Sequence, residues 1–156
     1  MFRLTLLTMF VTCAVVAGCG SQPSENDVAA GKPSTVAQSA VTPTELEVLR
    51  TMALEAAEKA GDTHPLWGQV VETTEQAANL TAFGTQVAGN RNVFLVQVRG
   101  EFVAHLASRP RGATAPQGEF MILVYERGSY DDVAFGVGGH DVNLSLLGPV
   151  TSLEIG

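Results

Sequence analysis

The chain has only two cysteines, Cys13 and Cys19, and both fall within its first nineteen residues. No disulfide can staple the chain beyond Cys19, so that part must rest on a buried core alone. Positive charge is also scarce. There are 9 Lys and Arg against 16 Asp and Glu, a formal net charge of −7. Grasping a phosphate backbone takes a basic patch, and none is present, so nucleic acid is not expected as a partner. An acidic domain also stands off from anionic lipid headgroups. No apolar run reaches the roughly 20 residues that a membrane-spanning helix needs. A Gly-x-Ser-x-Gly nucleophile elbow is absent. Gly136-Val137-Gly138-Gly139 has neither the Lys-Ser/Thr of a phosphate loop nor a following helical pattern, and reads as a hairpin turn. No nucleophile and base can be paired. The chain is therefore expected to be non-enzymatic, with no cofactor.

What is present begins with an export signal. Met1-Phe2-Arg3 is a short positively charged start, and Leu4 to Ala17 is an apolar run broken by Thr5, Thr8 and Thr12. It ends in Val16-Ala17-Gly18-Cys19. This is similar to the lipobox of small bacterial lipoproteins, an aliphatic residue, two small residues and a cysteine. The resemblance implies removal of residues 1–18 and a diacylglyceryl thioether on Cys19. Two acyl chains hold a protein stably where one is marginal. The expected location is therefore extracytoplasmic and lipid-anchored, with the membrane as partner through Cys19. Gly20 to Val41 is Ser, Pro, Gly, Ala and Thr with scattered charge and no apolar period, which reads as a flexible tether. The domain division is thus 1–18 signal peptide, 19–41 lipidated cysteine and tether, and 42–156 a single domain.

That domain opens on Thr42-Pro43-Thr44-Glu45, the pattern of a capping box with proline at the first helical position. Val41 and Leu46 are placed to form a hydrophobic staple. Leu46, Leu49, Ala53, Ala56 and Ala60 recur at helical spacing, and Gly61 suits the residue after the cap. The spacing predicts a helix over about 43–60 whose alanine face lies close to a sheet. Gln69 to Thr73 reads as a short strand, and Thr74 to Leu80 as a short helix capped by Thr74. Val93 to Ala107 alternates, with Phe94, Val96, Val98, Phe102, Ala104 and Leu106 on one face. Gly100 falls on that face as a candidate close-approach point that keeps the register. Glu119 to Glu126 is apolar on both faces, as a central strand is. Val133, Phe135 and Val137 alternate, as do Val142, Leu144 and Leu146, before a last short strand over Val150 to Ile155. A helix followed by successive strands and short turns argues an α+β fold, one long N-terminal helix on an antiparallel sheet of about four strands.

The stretch from Leu49 to Gly136, with Gly61-Asp62, His64-Pro65 and Val93 to Phe102, together with Leu147 to Thr151 beyond it, resembles a group of uncharacterised small exported bacterial proteins. More distantly the layout is similar to PepSY-type envelope domains, which implies restraint or binding of an envelope protein or peptide. Where such domains carry an Asp and a Thr-Gly turn, this chain reads Tyr125-Glu126-Arg127-Gly128, so the likeness is one of architecture.

The residues point to two candidate sites. If the helix covers Phe94, Val96, Val98 and Phe102, the opposite sheet face would show Gln97, Arg99, Glu101 and His105, with Met121, Leu123 and Tyr125 of the next strand beside them. Such a mixed face is a contact surface for a partner unless the segment over Gln69–Leu80 folds over it. A binding or protein-interaction module using Arg99, Glu101, His105, Met121, Leu123 and Tyr125 is the leading expectation. The alternative is a small-ligand or metal-binding protein using His64, His105 or His140, although no two of these are at metal-ligand spacing. Asp131-Asp132 reads as a solvated turn.

Overall fold

A computed structural model describes residues 40–105 and 110–156. The expected signal segment, Cys19 and all but the last two residues of the tether lie outside the described residues. Among the described residues, no helix is long and apolar enough to cross a membrane.

The chain folds as α1 (Pro43–Lys59), β1 (Trp67–Thr74), α2 (Glu75–Phe83), β2 (Asn92–Val103), β3 (Gln117–Glu126), β4 (Asp132–Gly138), a single 3-10 turn (Leu144–Leu146) and β5 (Val150–Leu153). The strands form one open sheet in the order β4-β3-β2-β1-β5, with every neighbouring pair antiparallel. The α+β class and the antiparallel sheet are as expected. The count is not: among the described residues there are five strands and two α-helices. The alternation over Val142–Leu146 misled, because this segment crosses the sheet as a turn instead of joining it. Its Leu144 is buried while Leu146 is 75% exposed.

Helix α1 starts where its cap says it should. The Thr42 side chain accepts from the Glu45 N–H, and Glu45 Oε2 accepts from the Thr42 N–H at 2.8 Å, which satisfies two donors that a helix end leaves open. Val41 and Leu46 both pack on the core beneath the helix. At the other end Ala60 closes the helix, and Gly61 takes φ +94°, a conformation that strains any side-chain-bearing residue. Leu49, Ala53 and Ala57 are fully buried at i, i+4 and i+8. Small alanines let the helix axis sit close to Val70, Phe94, Val96 and Val98.

Pairing register sets the faces of the sheet. Residues directly opposite in an antiparallel pair share a face. Phe94 stands opposite Tyr125, Val96 opposite Leu123, and Val98 opposite Met121. Met121, Leu123 and Tyr125 therefore belong to the α1 side, buried in the same cluster as Leu49 and Phe94. This corrects the expectation that they stand beside Gln97 and Arg99. A strand apolar on both faces gives no clue which alternation faces which layer; only the register decides.

The other face is covered. Val71, Val93, Leu95, Ile122 and Val124 pack against Ala78 of α2 and Leu144 of the crossing segment, with Phe83 and Val142 alongside. The mixed, open face expected there does not exist. At its centre Gln97 is fully buried. Its Nε2 donates to Asp141, and its Oε1 accepts from the Val142 N–H at 2.8 Å, so a polar group in the sheet pins the crossing segment down.

Gly100 is a close-approach point, as expected, but the register does shift there: one extra residue sits in β2 between Arg99 and Phe102. A Cβ on Gly100 would run into Asp62 Oδ2. That same oxygen accepts the Glu101 N–H at 2.8 Å, while Asp62 Oδ1 accepts the His64 N–H at 2.8 Å. The turn after α1 is thus tied to the bulge of β2.

Candidate binding groove

The six residues singled out from sequence do not form one surface. Arg99 is exposed, 3.7 Å from Glu119, with its guanidinium over the Phe120 ring at 5.9 Å. Glu101 is exposed at the bulge. Met121 is fully buried in the core. His105, Leu123 and Tyr125 do come together, on the α1 side, in a groove of about 410 Å³.

The groove exists because α1 does not cover the whole sheet. The helix packs chiefly over β2, and Arg50 Nε reaches across to the Glu154 carbonyl beyond β5 at 2.5 Å. The α1-side surfaces of β3 and β4 are left as a floor beside it. Leu123 and Tyr125 from β3, with Phe135 from β4, supply that floor. Phe135 stands opposite Leu123, so it faces the same side, and it remains 48% exposed. Met52, Glu55, Ala56 and Lys59 from α1 form the wall, and Val103 to His105 close one end. Sequence periodicity assigns Met52 and Glu55 to the flank of the helix and Phe135 to an alternating strand. Nothing in it shows that these residues meet.

Tyr125 is the polar group at the base of this groove. The residue is only 3% exposed, but its hydroxyl, which bonds to no described residue, is not sealed off and opens onto the groove. Burial pushes its pKa well above the usual phenol range, and the negative charges of Asp132 and Glu55 push it further. The side chain therefore stays a neutral hydroxyl, able to donate one hydrogen bond and to accept others. Lys59 sits 3.8 Å from Glu55 on the exposed face of the helix, a pair of little strength.

A second polar cluster lies at the opposite end of α1. Arg127 contacts Glu72 and lies 3.0 Å from Glu45, with its guanidinium 5.5 Å from the centre of the Phe94 ring. Tyr130 stacks on the same ring at 6.3 Å. Burial opposes ionisation of Glu45, but donors from Thr42 and Arg127 outweigh it and hold its pKa below 4.5. This cluster is compact and paired, and it secures the helix start.

The three histidines stand apart. His64 Nδ1 lies 2.9 Å from the Thr63 hydroxyl in the turn after α1, His105 lines the end of the groove, and His140 is exposed. Among the described residues no group of three or more His, Cys, Asp or Glu side chains could hold a metal ion. Comparison with protein-family models, with curated proteins and with solved structures finds no match to this chain.

Proposed function

We propose that this chain is a lipid-anchored, extracytoplasmic lipoprotein that acts as a non-enzymatic binding module, and that the groove between α1 and strands β3–β4 is its binding site. The lipobox ending at Cys19 supports the anchor. The architectural likeness to PepSY-type envelope domains supports a role in holding a protein or peptide. The observation that carries the site is the groove itself, with an apolar floor of Leu123 and Phe135 and a nearly buried Tyr125 whose hydroxyl opens onto it and bonds to no described residue. A concave, mostly apolar surface with one or two oriented polar groups is the usual form of a binding site.

Two measurements test this reading. Cells fed an alkyne-labelled fatty acid should label the wild-type chain, and Cys19→Ala should abolish the label; a labelled Cys19→Ala chain would remove the anchor. A photo-crosslinking amino acid placed at Phe135, which is half-exposed, should trap a discrete envelope partner in cells. The same group at Glu58, on the exposed face of α1, should not. Equal trapping at both positions, or none at Phe135, would sink the groove as a binding site.

A further inference from the structure

The groove has a polarity as well as a shape. Glu55 of α1 and Asp132 of β4 line the groove together with Tyr125, and Asp132 stands directly opposite Tyr125 in the β3–β4 pairing. Among the described residues the one Lys or Arg on this rim is Lys59, already shared with Glu55 at 3.8 Å and largely in solvent. His105 stands at the far end. A ligand entering here meets two carboxylates and one unpartnered hydroxyl, all able to accept hydrogen bonds from a cation.

The groove also runs along an open strand edge. Among the described residues β4 pairs only with β3. One extra residue interrupts its start between Asp132 and Ala134, and from there Ala134 to Gly138 pairs regularly. That stretch, Ala134-Phe135-Gly136-Val137-Gly138, carries no lysine, no proline and no charge, the devices that proteins use to blunt an edge. The other edge is protected. β5 is four residues long, follows Gly148-Pro149, and has the Arg50 guanidinium on the carbonyl just beyond its end. An exposed edge beside an apolar groove suits strand addition, in which main-chain bonds give affinity and alternate side chains fill pockets.

We infer that the occupant is an extended, largely apolar peptide segment added to β4, with a lysine or arginine side chain reaching the groove and donating to Glu55, Asp132 and the Tyr125 hydroxyl. The inference rests on the groove being the binding site, and it names what binds there. Lys59 is the resident competitor that the incoming cation displaces from Glu55. Charge complementarity favours a basic segment over an acidic one, since the chain carries a net charge of −7.

The probe is a capped seven-residue peptide with threonine at its odd positions, valine at the second and sixth, and lysine at the fourth. It is titrated into the full chain, isotopically labelled and held in detergent micelles. NMR then follows the methyl groups of Met52 and Leu123 and the exchange of the Ala134–Gly138 amides. The expected result is saturable shifts at both methyls and slowed exchange at alternate amides of that stretch. Replacing the lysine by norleucine should weaken binding at least tenfold. Tyr125→Phe and Asp132→Asn should each weaken the lysine peptide about threefold or more, and leave the norleucine peptide unchanged. Equal binding of the two peptides overturns the cation assignment. Methyl shifts without amide protection overturn strand addition. Amide protection that grows with protein concentration in the absence of peptide makes a second copy the occupant, and overturns the inference. No binding of any peptide overturns it too, while trapping at Phe135 in cells then decides separately whether the groove binds at all.

Discussion

Two buried polar side chains, one on each face of the sheet, are treated in opposite ways. Gln97 lies under α2 and the crossing segment, with its amide oxygen and nitrogen both bonded, to the Val142 N–H and to Asp141. Tyr125 lies under the flank of α1, its side chain almost as deeply buried, but its hydroxyl opens onto the groove and bonds to no described residue. The first is a fastener: its bonds order a segment that would otherwise have no reason to lie flat on an apolar sheet. The second makes no comparable bond to the fold. The contrast is between a polar group that the fold bonds and one that it leaves facing the groove.

The largest effect in stability should come from Arg127, the fully paired polar cluster on the same face as Tyr125. Arg127→Met leaves the Glu45 and Glu72 carboxylates, 16% and 8% exposed, without their shared cation. A loss of about 3 kcal/mol is expected, read as a fall in the urea midpoint. Gln97→Leu should cost about 2 kcal/mol, since it strands the Val142 N–H and releases Asp141. Amide exchange over residues 141–147 should quicken more than exchange in β2. Tyr125→Phe should go the other way. Removing a hydroxyl that bonds to no described residue should leave stability unchanged or raise it by up to about 1 kcal/mol. A clear loss of stability would mean that the hydroxyl is used by the fold, and the contrast between the two faces would collapse.

The smallest effect concerns pH. The folded pKa of Glu45 is depressed below 4.5, so its ionised form stabilises the native state. That contribution is full above the unfolded value and is lost as pH falls through the lower folded one. The difference in melting temperature between wild type and Glu45→Gln should be constant at neutral pH and shrink below about pH 4.5. A difference that persists unchanged into strong acid would show that Glu45 acts through shape alone.

Local rules were legible in the sequence. The capping box, the alanine face of α1 and the glycine after it all stand where residue types placed them, because each depends on neighbours within a few positions. The Thr74 cap of α2 was legible for the same reason, with Thr74 Oγ1 accepting the Ala77 N–H at 3.3 Å. The register of β3 was not. Phe120 to Tyr125 is apolar at every position, so a shift of one residue costs nothing that hydrophobicity can detect. That single ambiguity put Met121, Leu123 and Tyr125 on the wrong face. The bulge at Gly100 was hidden too, since Asp62 fixes it from 39 residues away. The groove depends on where α1 stops covering the sheet, and no periodicity records that.

The position of β5 has a consequence for how the molecule assembles. Strands β2, β3 and β4 are consecutive neighbours and can zip from local turns. Val71 of β1, by contrast, pairs with Val150, near the far end of the chain. Closing so large a loop costs little more than closing a moderate one at equilibrium, but it slows the search for the right contact. A ribosome delivers β1 long before β5. Until β5 arrives, β1 carries an unpaired margin and Val70 and Val71 wait without their last neighbour. The four residues of β5 are thus the closing stitch of the sheet, and trimming them should leave β1 with an open margin.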